Sequence, residues 1–226
     1  METTKKSRKT RGATATGMSA DKIRAAYVDY LLTQGKQPAS VYKFCLDLGF
    51  KEEVFYASFG SFDAIERDIW TGFITRTVDR LRSDKTFASF TSREKILSFY
   101  YALLEELKNN RSFAIQQLFS FRKPEFTPSY LKDFKKVFED FVSHTLSQGK
   151  ANGEVSQRPY LDKLYPQLFW MHLGFILLFW KEDGSAGFEQ TDAAVEKSVN
   201  LAFDLIGKGA IDTAFDFAKF LYQSKK

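Results

Sequence analysis

Apolar side chains return every three or four residues along this chain, segment after segment. They nowhere alternate with polar ones over a useful length. Ile23, Ala26, Tyr27, Tyr30 and Leu31 make one stripe, Ile96, Tyr100, Leu103 and Leu107 a second, and Leu131, Phe134, Phe138 and Phe141 a third. That period belongs to helices and not to strands, so the expected class is all-α. Gly, Pro and Ser divide the stripes and predict helices over 21–33, 40–48, 51–58 and 62–81. Thr91 and Glu94 have the spacing of a capping box and should open a helix that reaches about residue 109. Further helices are expected over 112–121, 130–146, 165–181, 192–206 and 211–222. Gly149 and Gly153 read as loop, and Asp183 with Ser185 as a turn and cap. No internal repeat is visible.

Composition excludes several classes of function. The 226 residues suit one large or two small domains. A single cysteine, Cys45, cannot make an intrachain disulfide, so a reducing cytoplasm is the simplest compartment. One Cys and two His leave almost no ligands for zinc, and no metal or cofactor is expected. The most apolar run, 168–180, is interrupted by His172 and falls short of the roughly 20 residues a membrane helix needs. It reads as a buried helix with contacts on more than one side. The first twenty residues have no apolar stretch, so no secretory signal is expected. Neither His lies in a recognisable motif with a Ser or Cys, and there is no Gly-rich phosphate loop. Catalysis therefore finds no support.

The net charge of +5 is unevenly placed. Lys5, Lys6, Arg8, Lys9 and Arg11 against Glu2 leave residues 1–20 at +4 and the other 206 at +1. Such an arm is either a loose solubilising terminus or a phosphate-seeking one.

Between Ile23 and Glu66 three short helices joined by tight turns lead into a long one, the arrangement a helix–turn–helix requires. Ile23-x-Ala25-Ala26, Leu31, Gly35, Ser40-Val41, Phe44-Cys45, Leu48-Gly49-Phe50 and Val54-Phe55-Tyr56-x-x-Phe59-x-Ser61 resemble the N-terminal pattern of TetR repressors. The resemblance implies a three-helix DNA-binding head at 21–66 after a flexible basic arm at 1–20, and a helical ligand-binding and dimerisation domain at 67–226. It implies a bracing helix at 40–48, a recognition helix at 51–58, and a homodimer that binds double-stranded operator DNA. Tyr56, Ser40 and Lys43 match positions that touch the DNA backbone. With Lys51, Glu52 and the arm cations they form the expected DNA-binding set.

Two departures stand out. Phe62 replaces the lysine usual after Ser61, and the recognition helix opens Lys51-Glu52-Glu53. From Asp21 to Glu66, five cations face seven anions, a net −2. Since phosphate neutralisation supplies much of a DNA reader's affinity, two accounts stand. In one, the arm supplies the attraction and Glu52 or Glu53 accepts from cytosine N4. In the other, those carboxylates merely complement a helix dipole and the head is degenerate.

Beyond residue 66 the aromatic density is high, in a chain with 24 Phe. Each ring at helical spacing reads as core; together they can enclose an apolar cavity. The family resemblance favours an apolar or lipid-like effector there, with Tyr100, Leu103, Phe119, Phe134, Phe138, Phe141, Trp170, His172 and Leu173 as the expected lining. His172 is either a hydrogen-bonded core residue or a polar anchor for the ligand. The segment 168–185 with Thr191 also resembles the C-terminal part of the lipid-binding protein of ubiquinone biosynthesis. The alternative to a ligand-responsive regulator is accordingly a hydrophobic-ligand carrier with a degenerate head; an interaction scaffold is a third reading.

Overall fold

The structure, a computed structural model, describes residues 18–118, 127–207 and 209. Among the described residues there are nine α-helices and no strand. The chain divides after Phe62 into two compact units.

The smaller unit holds α1 (Ala20–Gln34), α2 (Val41–Leu48) and α3 (Glu52–Tyr56). Ser19 and Ser40 each accept from a backbone N–H three residues on, which satisfies an otherwise orphaned donor. Gly35 and Gly49 end α1 and α2 at φ 69° and 74°, a left-handed conformation that glycine adopts without a Cβ clash. Phe44 is the hub of the core. Its ring meets Tyr27, Tyr30, Phe50, Phe55 and Phe62 edge-on, with centroids 5.5–6.3 Å apart. Cys45 is buried beside it, and burial pushes its thiol pKa up. The helix expected over 51–58 is shorter. Lys51 caps it, and the N–H groups of Ser58 and Phe59 both reach back to the Phe55 carbonyl. This tight exit returns Phe59 to the core.

The larger unit contains the rest of α4 (Phe62–Ser83), then α5 (Ser92–Asn109), α6 (Arg111–Leu118), α7 (Lys132–Ala151), α8 (Tyr165–Glu182) and α9 (Glu189–Ile206). α7 packs chiefly on α8, and α5 on α9 and α7. The capping box at α5 forms as expected: Thr91 Oγ1 accepts from Glu94 N–H, and the Glu94 carboxylate accepts from Thr91 N–H at 2.8 Å. Those bonds hold the Glu94 pKa below its ordinary value.

Gly149 corrects the sequence reading. It lies inside α7, not in a loop, because a close contact demands it: a Cβ there would stand 2.4 Å from Ser92 Oγ and 2.9 Å from Val155 Cγ2. The helix expected over 211–222, and the end of the one expected over 112–121, lie outside the described residues.

Two polar clamps complete this unit. The Asp183 carboxylate accepts from the N–H and hydroxyl of both Ser185 and Thr191, at 2.6–2.9 Å, and so ties the end of α8 to the start of α9. These four bonds hold its pKa well below the usual carboxylate range. Arg158, also buried, donates to the carbonyls of Leu205, Ile206 and Gly207. A cation there suits the negative end of the α9 dipole. No helix among the described residues is long and apolar enough to cross a membrane.

Candidate nucleic-acid interface and effector core

In the smaller unit, α2 and α3 turn Tyr42, Lys43, Leu46, Lys51, Glu53 and Tyr56 to solvent, with Glu52 half-buried. Ser40 spends its oxygen on capping α2, accepting from Lys43 N–H at 3.1 Å. The Lys43 ammonium is bonded to Asp47 one turn on, which raises its pKa and neutralises much of its charge. Lys51 makes no side-chain capping bond, and no ion pair of its ammonium is present among the described residues. Glu52 and Glu53 lie in the first turn of α3, where a carboxylate complements the dipole. Tyr56 is 54% exposed, its ring braced edge-on by Phe55 at 5.5 Å. The arm cations Lys5, Lys6, Arg8, Lys9 and Arg11 lie outside the described residues.

Phe62 explains its own departure from the family pattern. It is buried, stacked on Tyr27 at 5.3 Å and edge-on to Phe44 and Phe55. A lysine there would have to leave the core. Sequence reasoning missed the exposed Tyr42 and Leu46, one turn apart on the outer face of α2. Their four-residue spacing was the available signal.

In the larger unit, the described members of the expected effector lining are close together. Tyr100, Leu103, Phe134, Phe138, Phe141, Trp170 and Leu173 are all buried; Phe119 lies outside the described residues. Phe134 and Phe138 meet Trp170 at 6.1 and 6.0 Å, and Phe99 meets Phe138 and Phe141 at 5.4 and 4.8 Å. The rings fill one another's space. Two indoles in this core, Trp70 (0% exposed) and Trp170 (3%), have buried Nε1–H groups with no acceptor among the described residues.

His172 joins three helices. Ser198 Oγ donates to the Ala194 carbonyl at 2.6 Å, so it accepts from His172 Nε2–H at 2.8 Å. His172 Nδ1 is then left to accept from the Tyr100 hydroxyl at 2.7 Å. Both ring nitrogens are therefore engaged within the protein. Burial lowers the His172 pKa to about 4, which fixes the neutral imidazole at pH 7.

A cavity of about 210 Å³ opens elsewhere, between α5, the end of α8 and the start of α9; none of the expected lining residues borders it. Sequence reasoning could not find it, because it joins residues up to 91 positions apart that share no motif. Among the described residues no three His, Cys, Asp or Glu side chains could hold a metal ion.

Residues 95–221 match the family described as "Tetracyclin repressor-like, C-terminal domain". The chain belongs to the TetR family of regulators, an all-α family with a helical head and a helical bundle, whose members are not enzymes. Two solved structures share the fold. One is a bacterial regulatory protein in the tetR family from Rhodococcus RHA1, with a TM-score of 0.54 and 15% identity, covering 84% of this chain and 98% of that one. The other, assigned to the tetR family of transcription regulators, is from Shewanella sp. PV-4, with a TM-score of 0.56 and 14% identity, covering 81% and 95%. No curated protein matches the sequence.

Proposed function

We propose that this protein is a cytoplasmic, ligand-responsive transcription regulator that binds operator DNA as a homodimer. The head, residues 21–66, is its reader, and residues 67–226 are its effector and dimer domain. The observation that carries this reading is an uncovered apolar stripe. Leu164 at the N-cap of α8 and Leu168, Met171 and Phe175 within it are spaced 4, 3 and 4 and are all exposed, as are Leu201 and Leu205 on α9. A stripe of this kind on two helices that pack together suits a two-fold contact with a second copy. Two heads in one dimer can then reach major grooves about 34–36 Å apart.

The head is poor in free cations, so the five at the front of the chain supply the grip on phosphate. Glu52 selects a cytosine through its N4 donor, while Ser40, Lys43, Lys51 and Tyr56 set the register. The effector is apolar and enters the aromatic core, displacing rings that now pack on each other. The unsatisfied indoles at Trp70 and Trp170 favour a ligand that also carries an acceptor oxygen. A ligand that prefers one spacing of the heads changes operator affinity by its differential affinity for the two states.

The test is a salt-dependent gel shift on genomic fragments with the full chain and with a chain lacking residues 1–20. The full chain should bind, and the deletion should weaken binding and flatten the salt slope. No binding at low salt defeats the regulator reading; an unchanged slope defeats the role of the arm. A second reading has its own support: Phe62 buried where a phosphate-binding lysine would stand, and Lys43 tied to Asp47. Both suit a hydrophobic-ligand carrier whose head no longer reads DNA.

A further inference from the structure

The cavity between α5, α8 and α9 has chemistry unlike that of the aromatic core. Its base is apolar: Trp180 and Leu104 are buried beneath it, and Tyr101 and Phe188 stand beside them. Its other borders are charged. Lys108 and Glu105 come from α5 and Asp192 from the first turn of α9, and all three are exposed.

Their charges are not equally available. Glu105 is paired with Arg80 at 3.3 Å. Among the described residues, Lys108 has no carboxylate partner, its ammonium standing 5.4 Å over the Phe188 ring, and Asp192 has no partner for its carboxylate. The backbone donors at the start of α9 are also taken: Thr191 N–H by Asp183 and Gln190 N–H by Ser185. Among the charged residues that line the cavity, Lys108 on α5 and Asp192 on α9 remain unpaired, with an aromatic base between those helices.

The aromatic border is held in place before any ligand arrives. The Arg111 guanidinium lies over both Trp180 and Phe188, at 4.5 and 4.2 Å, and donates to the Trp180 carbonyl. The Asp183 clamp fixes the backbone on both sides of Phe188. A preformed border lowers the ordering cost of binding.

We propose that this cavity is a binding site for a free α-amino acid with a large apolar side chain. The carboxylate meets Lys108, the ammonium meets Asp192, and the side chain rests on Trp180, Leu104 and Phe188. Size agrees: about 210 Å³ is below the roughly 300 Å³ at which drug-sized pockets begin, and far too small for a lipid. Charge agrees as well. A simple carboxylate would leave Asp192 unpaired and face its repulsion, and a simple amine would do the same with Lys108.

L-phenylalanine, phenylacetate and phenethylamine, titrated into the full chain by calorimetry, test this directly. Phenylalanine should bind saturably at one site, and each singly charged analogue roughly tenfold more weakly, as the loss of one charge-assisted contact implies. Lys108→Gln should weaken phenylalanine and phenylacetate but not phenethylamine; Asp192→Asn should do the reverse for the two analogues. Both side chains are exposed, so circular dichroism should show unaltered folds. The proposal is overturned if phenylalanine does not bind, if phenylacetate binds as tightly, or if neither variant changes its affinity. The readout contains no DNA, so its outcome is separate from that of the operator test.

Discussion

His172 shows how one side chain can make stability depend on pH. In the unfolded chain an imidazole titrates near 6.5; folded, it titrates at about 4. The folded state therefore favours the neutral ring, and its advantage is complete only above pH 6.5. As pH falls from 6.5 to 4 the unfolded state takes up a proton that the folded state refuses. By linkage about 3 kcal/mol of stability is lost across that window. Urea melts between pH 4 and 7.5 should show this slope, and His172→Gln should flatten it. Tyr100→Phe removes the hydroxyl that donates to Nδ1 and should cost about 1–2 kcal/mol at pH 7. Arg158→Met is a second residue-scale test. It strips three carbonyls at the end of α9 of a charged donor and should cost about 2–4 kcal/mol in chemical melts.

At the scale of elements, Gly149 is where α7 comes close against Ser92, the first residue of α5. A Cβ 2.4 Å from Ser92 Oγ cannot be accommodated without movement, so Gly149→Ala should destabilise by about 1–3 kcal/mol. Adding Ser92→Ala should recover part of that loss in a double-mutant cycle, since the clashing atom is then gone.

The helices themselves were legible in the sequence wherever one face is apolar at period 3.6, and Thr91 with Glu94 marked the start of α5 because a capping box is purely local. Gly149 was not legible, because the same residue that ends many helices can also sit where a neighbouring side chain leaves no room for a Cβ. Phe188 was equally hidden. It has φ 68°, which a phenylalanine rarely adopts; the Asp183 clamp and the contacts of its ring with Arg111 and Trp180 hold it in place. In the aromatic core, sequence periodicity identified which residues are interior. It could not say that the rings fill each other's space, since that depends on how α5, α7 and α8 are set against one another.

At the scale of the whole molecule, the two-fold contact proposed for the exposed stripe on α8 and α9 would link oligomeric state to operator binding. Leu168→Lys with Phe175→Glu adds charge to that stripe without touching a buried residue. Sedimentation should shift toward monomer, and operator affinity should fall by far more than the head's own contacts explain, because a lone head loses the gain from two linked sites. An unaltered sedimentation coefficient would place the two-fold contact elsewhere.

The lone thiol offers a way to watch the smaller unit by itself. Cys45 sits on the buried face of α2, and the sequence holds no other sulfhydryl to compete with it. Its rate of capture by a disulfide reagent is therefore a clock for how often that unit breathes, whatever the larger one is doing. A duplex that grips the head should slow the clock, and one that the protein ignores should leave it ticking at its own pace.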